Sequence, residues 1–329
     1  MGQVERRKFL IATAALLVAP LDVRAQQQLA KIRRIGYLST VVLPNSDGVF
    51  AQGLRELGYI EGKTLVIERR YADGNHERLP SLAAELVKLN VEVIVALATP
   101  AALAAQRATS TIPVVAFSVG DPVASGLAVS LARPGGNITG LSTVGPDISP
   151  KYLELLREMM PGLSRVAILA NPNHTAHPLY LKSIDAAGMQ LRLKTIRVHA
   201  ATMEDIERGF ASMTRDRVEA LIVLGDPFLA ADAQNAQIVN LAIKYRLPFV
   251  VATAVNVRNG GLMSYGVDFA ELARRAATFV DKILKGAKPG ELPFEQPTRL
   301  LLVINAKTAK ALGITIPRSI LMRADEVVE

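Results

Sequence analysis

The 329-residue sequence contains no cysteine and no tryptophan. Without a thiol there is no disulfide, no thiolate metal ligand and no cysteine nucleophile. Aromatic residues make up only 5% of the chain, too few for the stacking platforms that hold single-stranded nucleic acid. The formal charge is +8, yet beyond the N-terminus the cations are scattered, with no run longer than pairs such as Arg69-Arg70 and Arg274-Arg275. Scattered cations are a solvated surface, and no nucleic-acid partner is expected. Catalytic signatures are missing as well. There is no G-x-G-x-x-G, no G-x-x-x-x-G-K-[ST], no G-x-S-x-G and no H-E-x-x-H, which removes the sequence marks of dinucleotide, phosphate-loop, serine-hydrolase and zinc-peptidase chemistry. No enzyme activity, no cofactor and no metal are expected.

What is present begins with the N-terminus. Arg6, Arg7 and Lys8 form a basic start, Phe9 to Pro20 is apolar, and Val23-Arg24-Ala25 follows. This is the layout of a secretory signal peptide cleaved near Ala25, with a mature start at Gln26. The apolar stretch is shorter than the ~20 residues that span a bilayer. Arg6-Arg7-Lys8-Phe9-Leu10 also matches the twin-arginine pattern, so both export routes fit. No cysteine follows, hence no lipid anchor. Removing the +2 of residues 1–25 leaves +6 on the mature chain, expected to be a soluble periplasmic monomer.

The mature chain alternates short apolar runs with helical patterns. Strands are expected at Arg34 to Ser39, Leu65 to Tyr71, Val91 to Ala98 and Pro113 to Ser118, with helices at Gly48 to Leu57, His76 to Leu89, Pro100 to Ala108 and Val123 to Leu131. Near-continuous apolar strands between helices imply a parallel sheet covered on both faces. Arg133-Pro134-Gly135-Gly136-Asn137 reads as a turn. The alternation then restarts, with strands near 138, 165, 191, 220 and 248 and helices between them, including one continuous helix from Phe228 to Tyr245. The tail adds strands at Leu262 to Tyr265 and Arg299 to Ile304 around a long helix, one extra unit for each lobe. The expected architecture is α/β and two-lobed, with lobe 1 over residues 26–141 and 254–296, lobe 2 over 142–253 and 297–329, and crossings near 141, 253 and 297.

Four strand ends share a polar residue followed by proline: Thr99-Pro100, Asp121-Pro122, Asn171-Pro172 and Asp226-Pro227. Thr, Asp and Asn are favoured helix N-caps, and proline suits the first helical turn. Each pair therefore belongs at the carboxyl end of a strand, where open α/β sheets bind ligands. Ser39 and Thr40 close the first strand in the same way, and Ser118 and Thr253 end two others. These eight residues are the candidate ligand contacts. The small residues behind Thr99 leave helix N–H groups open to a carboxylate, while Asp121 and Asp226 can hold an ammonium group. Together they suit a small zwitterion such as an amino acid. His174 and His177 have helix-face spacing but no third ligand nearby in sequence, and read as a solvated helix start. Tyr37, Tyr152 and Tyr265 read as packing residues, with Tyr37 and Tyr265 placed to wall a ligand.

Several longer stretches carry a family likeness: Leu54-Arg55-Glu56-Leu57-Gly58-Tyr59-Ile60-Glu61-Gly62, Ser130-Leu131-Ala132-Arg133-Pro134-Gly135-Gly136-Asn137-Ile138-Thr139-Gly140, and Gly260-Gly261-Leu262-Met263-Ser264-Tyr265-Gly266. Leu284-Lys285-Gly286-Ala287-Lys288-Pro289 and Arg323-Ala324-Asp325-Glu326 extend it over nearly the whole mature chain. On these the chain resembles the ABC transporter substrate-binding proteins, a group that includes tryptophan-binding lipoproteins. The resemblance implies a type I periplasmic-binding fold of two lobes with three crossovers, a small-molecule ligand (among characterised members an aromatic amino acid) and delivery to an inner-membrane ABC permease. A sensory protein that presents its liganded shape to a membrane signalling partner would use the same scaffold. One departure stands out: where the family often has Gly-Thr before the proline, this chain has Ala98-Thr99, which implies a tighter backbone approach.

Overall fold

The computed structural model describes residues 32–329, apart from the side chains of Pro44 and Asn45. The expected export segment, residues 1–25, and the expected mature start at Gln26 lie outside the described residues.

The first lobe contains β1 (Arg33–Ser39), α1 (Pro44–Glu56), β2 (Leu65–Tyr71), α2 (Leu79–Lys88), β3 (Val93–Leu97), α3 (Ala98–Ala108), β4 (Val114–Val119) and β5 (Ile138–Ser142). Its strands pair in the order β2-β1-β3-β4-β5, all parallel. β3 reads Val-Ile-Val-Ala-Leu and is buried at every position, as a strand covered on both faces must be. On one face Phe50 and Leu54 of α1 pack with Ile35, Tyr37 and Phe117. On the other, Leu82 and Leu86 of α2 and Ala101 and Ala105 of α3 pack with Leu38, Ile94 and Ala116. Gly140 lets β5 approach β4: a Cβ there would lie 1.7 Å from the Ala116 carbonyl oxygen.

The second lobe begins with α4 (Gly145–Ile148) and α5 (Pro150–Met159), then β6 (Arg165–Ala170), α6 (His177–Leu191), β7 (Lys194–His199), α7 (Met203–Arg215), β8 (Ala220–Val223), α8 (Pro227–Ala230), α9 (Asp232–Lys244), β9 (Phe249–Val251), α10 (Ala254–Arg258) and β10 (Met263–Gly266). The chain then returns to the first lobe with α11 (Phe269–Leu284), whose Leu272, Ala276 and Val280 join the core beneath α1. It ends in the second lobe with β11 (Leu301–Asn305), α12 (Ala306–Leu312), α13 (Arg318–Leu321) and β12 (Glu326–Val328). The second sheet runs β12-β11-β10-β9-β8-β6-β7. Every neighbouring pair is parallel except β10 with β11.

The molecule is thus an α/β protein with two mainly parallel sheets flanked by helices, and its chain crosses between them three times. The crossings fall after Ser142, after Gly266 and between Glu295, which still bridges Leu141, and Leu301. The second lies later than the sequence suggests. Residues 254–266, expected in the first lobe, belong to the second, because Met263 and Ser264 pair with Val250 and Val251 of β9 while the other edge of β10 pairs with β11. Two helix expectations also change. Residues 123–131 form turns, closed by Leu127 and Ala128 N–H bonds to the Pro122 carbonyl. The helix expected from Phe228 to Tyr245 breaks at Ala231, which is extended (φ −63°, ψ 150°).

Candidate functional site

A cavity of about 440 Å³ lies between the two sheets. Its wall is drawn from the carboxyl ends of six strands: Leu97 and Ala98 after β3, Ser118 and Gly120 at β4, Thr143 after β5, Gly225 and Asp226 after β8, Ala252 and Thr253 after β9, and Gly266 and Val267 at β10. This is the edge at which open α/β sheets bind ligands, and the volume suits a small organic molecule. Much of the lining is apolar, including Val42, Leu43, Val49, Leu97, Ile148 and Phe269. Tyr152 and Tyr180 add rings whose hydroxyls burial pushes up from the ordinary phenol value. Such phenols stay neutral and serve as hydrogen-bond partners.

The polar groups of the lining are fixed in place. The Asp226 carboxylate, its side chain fully buried, caps α8 by accepting from the Leu229 N–H at 3.0 Å, and its second oxygen accepts from Asn171 Nδ2 at 3.2 Å. Thr253 accepts from the Asn256 N–H and donates to Asn256 Oδ1. The N-terminus of α3 receives no side-chain cap, and it opens at Leu97 and Ala98 on the cavity wall. The N–H groups of an uncapped first turn are where a helix meets an anion, and Pro100 contributes none of them.

Backbone strain gathers at the same place. Ala98 (φ 69°), Ser118 (φ 62°) and Val144 (φ 47°) hold left-handed conformations that favour glycine, and two of the three line the cavity. Residues held this way cost roughly 1–3 kcal/mol each and cluster at ligand sites. Ala98 occupies the position where the resembled family often carries glycine.

Of the eight sequence-derived candidates, Ser118, Asp226 and Thr253 line the cavity, whereas Ser39, Thr40, Thr99, Asp121 and Asn171 do not. Ser39 donates back to the Val41 carbonyl, and the Thr40 hydroxyl is buried without a partner. Thr99 is not an N-cap. The helix starts one residue earlier at Ala98, and the Thr99 hydroxyl accepts from the Gly120 N–H. Asp121 closes its own turn by accepting from the Val123 and Ala124 N–H groups at 2.9 Å each. Asn171 accepts from the Asn173 N–H and positions Asp226 from behind. Tyr37 sinks into the first core and Tyr265 stays off the wall, while Tyr152, expected only to pack, lines it.

The histidines are the group the sequence reading missed. His174 and His177, expected to be solvated, are 4% and 2% exposed, and His76 is 8% exposed. The His174 and His177 rings stack with centroids 4.3 Å apart, and His76 meets His174 edge-on at 6.2 Å. Burial holds all three imidazoles below their ordinary value; for His174 the neighbouring His177 and His76 push the same way, while Asp226 acts against burial on His76 and His177. His174 lines the cavity, and its Nδ1 accepts from the Ala176 N–H, leaving Nε2 as the donor of the neutral ring. The His177 nitrogens face the Asn171 and Gly225 carbonyls at 3.0 and 3.2 Å, and a neutral ring donates to only one of them. No cluster of three His, Cys, Asp or Glu groups among the described residues has the geometry to hold a metal ion.

Comparison with known proteins agrees with this architecture. The family model described as ABC transporter substrate binding protein matches residues 41–328. A tyrosine-binding protein of Clostridioides difficile is 26% identical over 288 residues, covering 86% of this chain and 82% of the relative. A conserved domain protein from Vibrio cholerae O1 biovar El Tor superposes with a TM-score of 0.84 at 29% identity, over 90% of this chain and 100% of that one. An ABC domain from Streptococcus pneumoniae, solved in complex with L-tryptophan, gives a TM-score of 0.82 at 27% identity, over 90% and 99%. With the family model matched over nearly all of the described residues, the chain belongs to the ABC transporter substrate binding protein family.

Proposed function

We propose that this protein captures an apolar, zwitterionic α-amino acid, aromatic in the first instance, in the interlobe cavity and delivers it to an ABC importer. The observation that carries the reading is the pairing, across one cavity, of the uncapped N-terminus of α3 in the first lobe with the buried Asp226 carboxylate in the second. The helix end offers N–H groups to the ligand carboxylate. Asp226 has only neutral partners, Leu229 N–H and Asn171 Nδ2, besides the buried His76, so a ligand ammonium group supplies the missing positive charge. The apolar lining then receives the side chain. Relatives that bind tyrosine and tryptophan support the aromatic assignment.

No helix among the described residues is long and apolar enough to cross a membrane, and family membership supports work outside the cytoplasmic membrane, in the periplasm, after removal of residues 1–25. A thermal-shift screen of the L-amino acids tests the ligand class, because a ligand bound only by the native state raises the melting temperature by mass action. L-tyrosine, L-tryptophan or L-phenylalanine gives the largest rise. A flat response across all of them, or a maximum with a charged side chain, contradicts the reading.

A further inference from the structure

We infer that His76 is a latch between the lobes: a first-lobe side chain that seats in a second-lobe socket only when the cleft is closed, and whose protonation releases it. The inference rests on the proposed reading of the cleft as a ligand site that opens and closes.

His76 follows β2 of the first lobe, but its neighbours belong to the second. Its Nε2 lies 3.7 Å from Asp226 Oδ2 and 3.4 Å from Asn171 Nδ2, and its ring meets His174. The same lip brings Val41 onto the second core, and a Cβ on Gly74 would reach 3.5 Å from Phe228. Among the described residues, the other titratable groups near the socket include His177 from α6 and, on the latch's own turn, Glu77 and the Arg78–Asp73 ion pair.

Position makes this contact a latch. Two of the three crossings, after Ser142 and after Glu295, leave the first sheet at β5, and β2 is the opposite edge of the order β2-β1-β3-β4-β5. Four strand spacings put the contact about 19 Å from the crossing edge. On that arm an opening of about 20° separates the lips by roughly 7 Å, so His76 and Asp226 cannot stay together in an open cleft. Each reports on the other lobe, and Asp226 also lines the cavity. Ligand and latch therefore favour the same closed state.

The sign of the pH response follows from burial. In the closed form desolvation holds His76 below its ordinary value, with Asp226 opposing but not cancelling it; in the open form the ring is free of that burial. The latch is therefore intact above the ordinary histidine value of about 6.5 and weakens as pH falls through it toward the closed-state value.

The chain has no cysteine, so Ala84→Cys on α2 and Ala211→Cys on α7, both exposed, give a clean spin-label pair across the cleft. Pulsed dipolar spectroscopy on the ligand-free protein should show a short-distance population at pH 7.5 that falls severalfold at pH 5. His76→Ala should reduce that population about fivefold or more at pH 7.5. His76→Gln, which fills the socket without titrating, should keep most of it and lose its pH response. The idea is overturned by an unchanged population in His76→Ala, by a pH response in His76→Gln equal to the parent's, or by no short-distance population in the parent at either pH. If His76→Ala does not fold, His76→Gln alone decides. Adding L-tyrosine or L-tryptophan to the parent tests the binding reading separately. No shift with either counts against those ligands, while the ligand-free pH response still decides the latch.

Discussion

Tyr180 lays its hydroxyl over Gly145 so closely that a Cβ at residue 145 would lie 1.9 Å from the phenol oxygen. Both residues line the cavity, and the same ring passes within 3.0 Å of a Cβ built on Gly120 of the first lobe. Gly145→Ala must therefore move the ring. Overpacking of this kind costs about 1–3 kcal/mol of stability, and the displaced ring narrows the cavity. Denaturant melts and calorimetry on the variant should show both losses, with affinity for the best amino acid down about tenfold or more. A variant that binds normally would show that Tyr180 does not shape the site.

Asp121 and Asp226 looked equivalent in sequence, and the structure separates them. Asp226→Asn removes the one buried acid of the cavity wall and should weaken ligand binding about ten- to a hundredfold, with a stability cost of about 1 kcal/mol for the weakened cap. Asp121→Asn should leave affinity unchanged and alter only stability, since Asp121 closes its own turn. Isothermal calorimetry on the pair checks this. Equal affinities for the two variants would remove the ammonium site from Asp226.

Ala98 holds φ 69° at the head of α3, a conformation that costs an L-residue about 1–2 kcal/mol. Ala98→Gly relieves that cost but loosens the unfolded chain by about 0.5–1 kcal/mol. The net is a small gain, and the melting temperature should rise by about 1–3 °C. A lower melting temperature would mean that the strain is absent.

Most strands were legible because a fully buried parallel strand is an unbroken apolar run, as in Val93–Leu97. The partner of a strand was not. Met263–Gly266 carries no mark of its sheet, and only its pairing with β9 and β11 assigns it. The start of α3 was misread because the residue before a proline usually avoids helical conformation. Here Thr99-Pro100 sits in the first turn, where the missing N–H costs nothing, and a left-handed Ala98 redirects the chain. At the site, proline-flanked acids were visible, but which of them faces the cavity is a matter of tertiary direction. The histidines were invisible as a group: His76 and His174 meet across 98 residues of chain and two lobes.

The central claim is that the cavity selects a zwitterion by both of its charged ends. Calorimetry on the amino acid that stabilises the protein most, set beside its decarboxylated amine and its deaminated acid, tests this directly. Each deletion leaves one end of the site unpaired, so each analogue should bind at least about tenfold more weakly than the parent. An amine or an acid that binds as tightly as the amino acid would contradict the account.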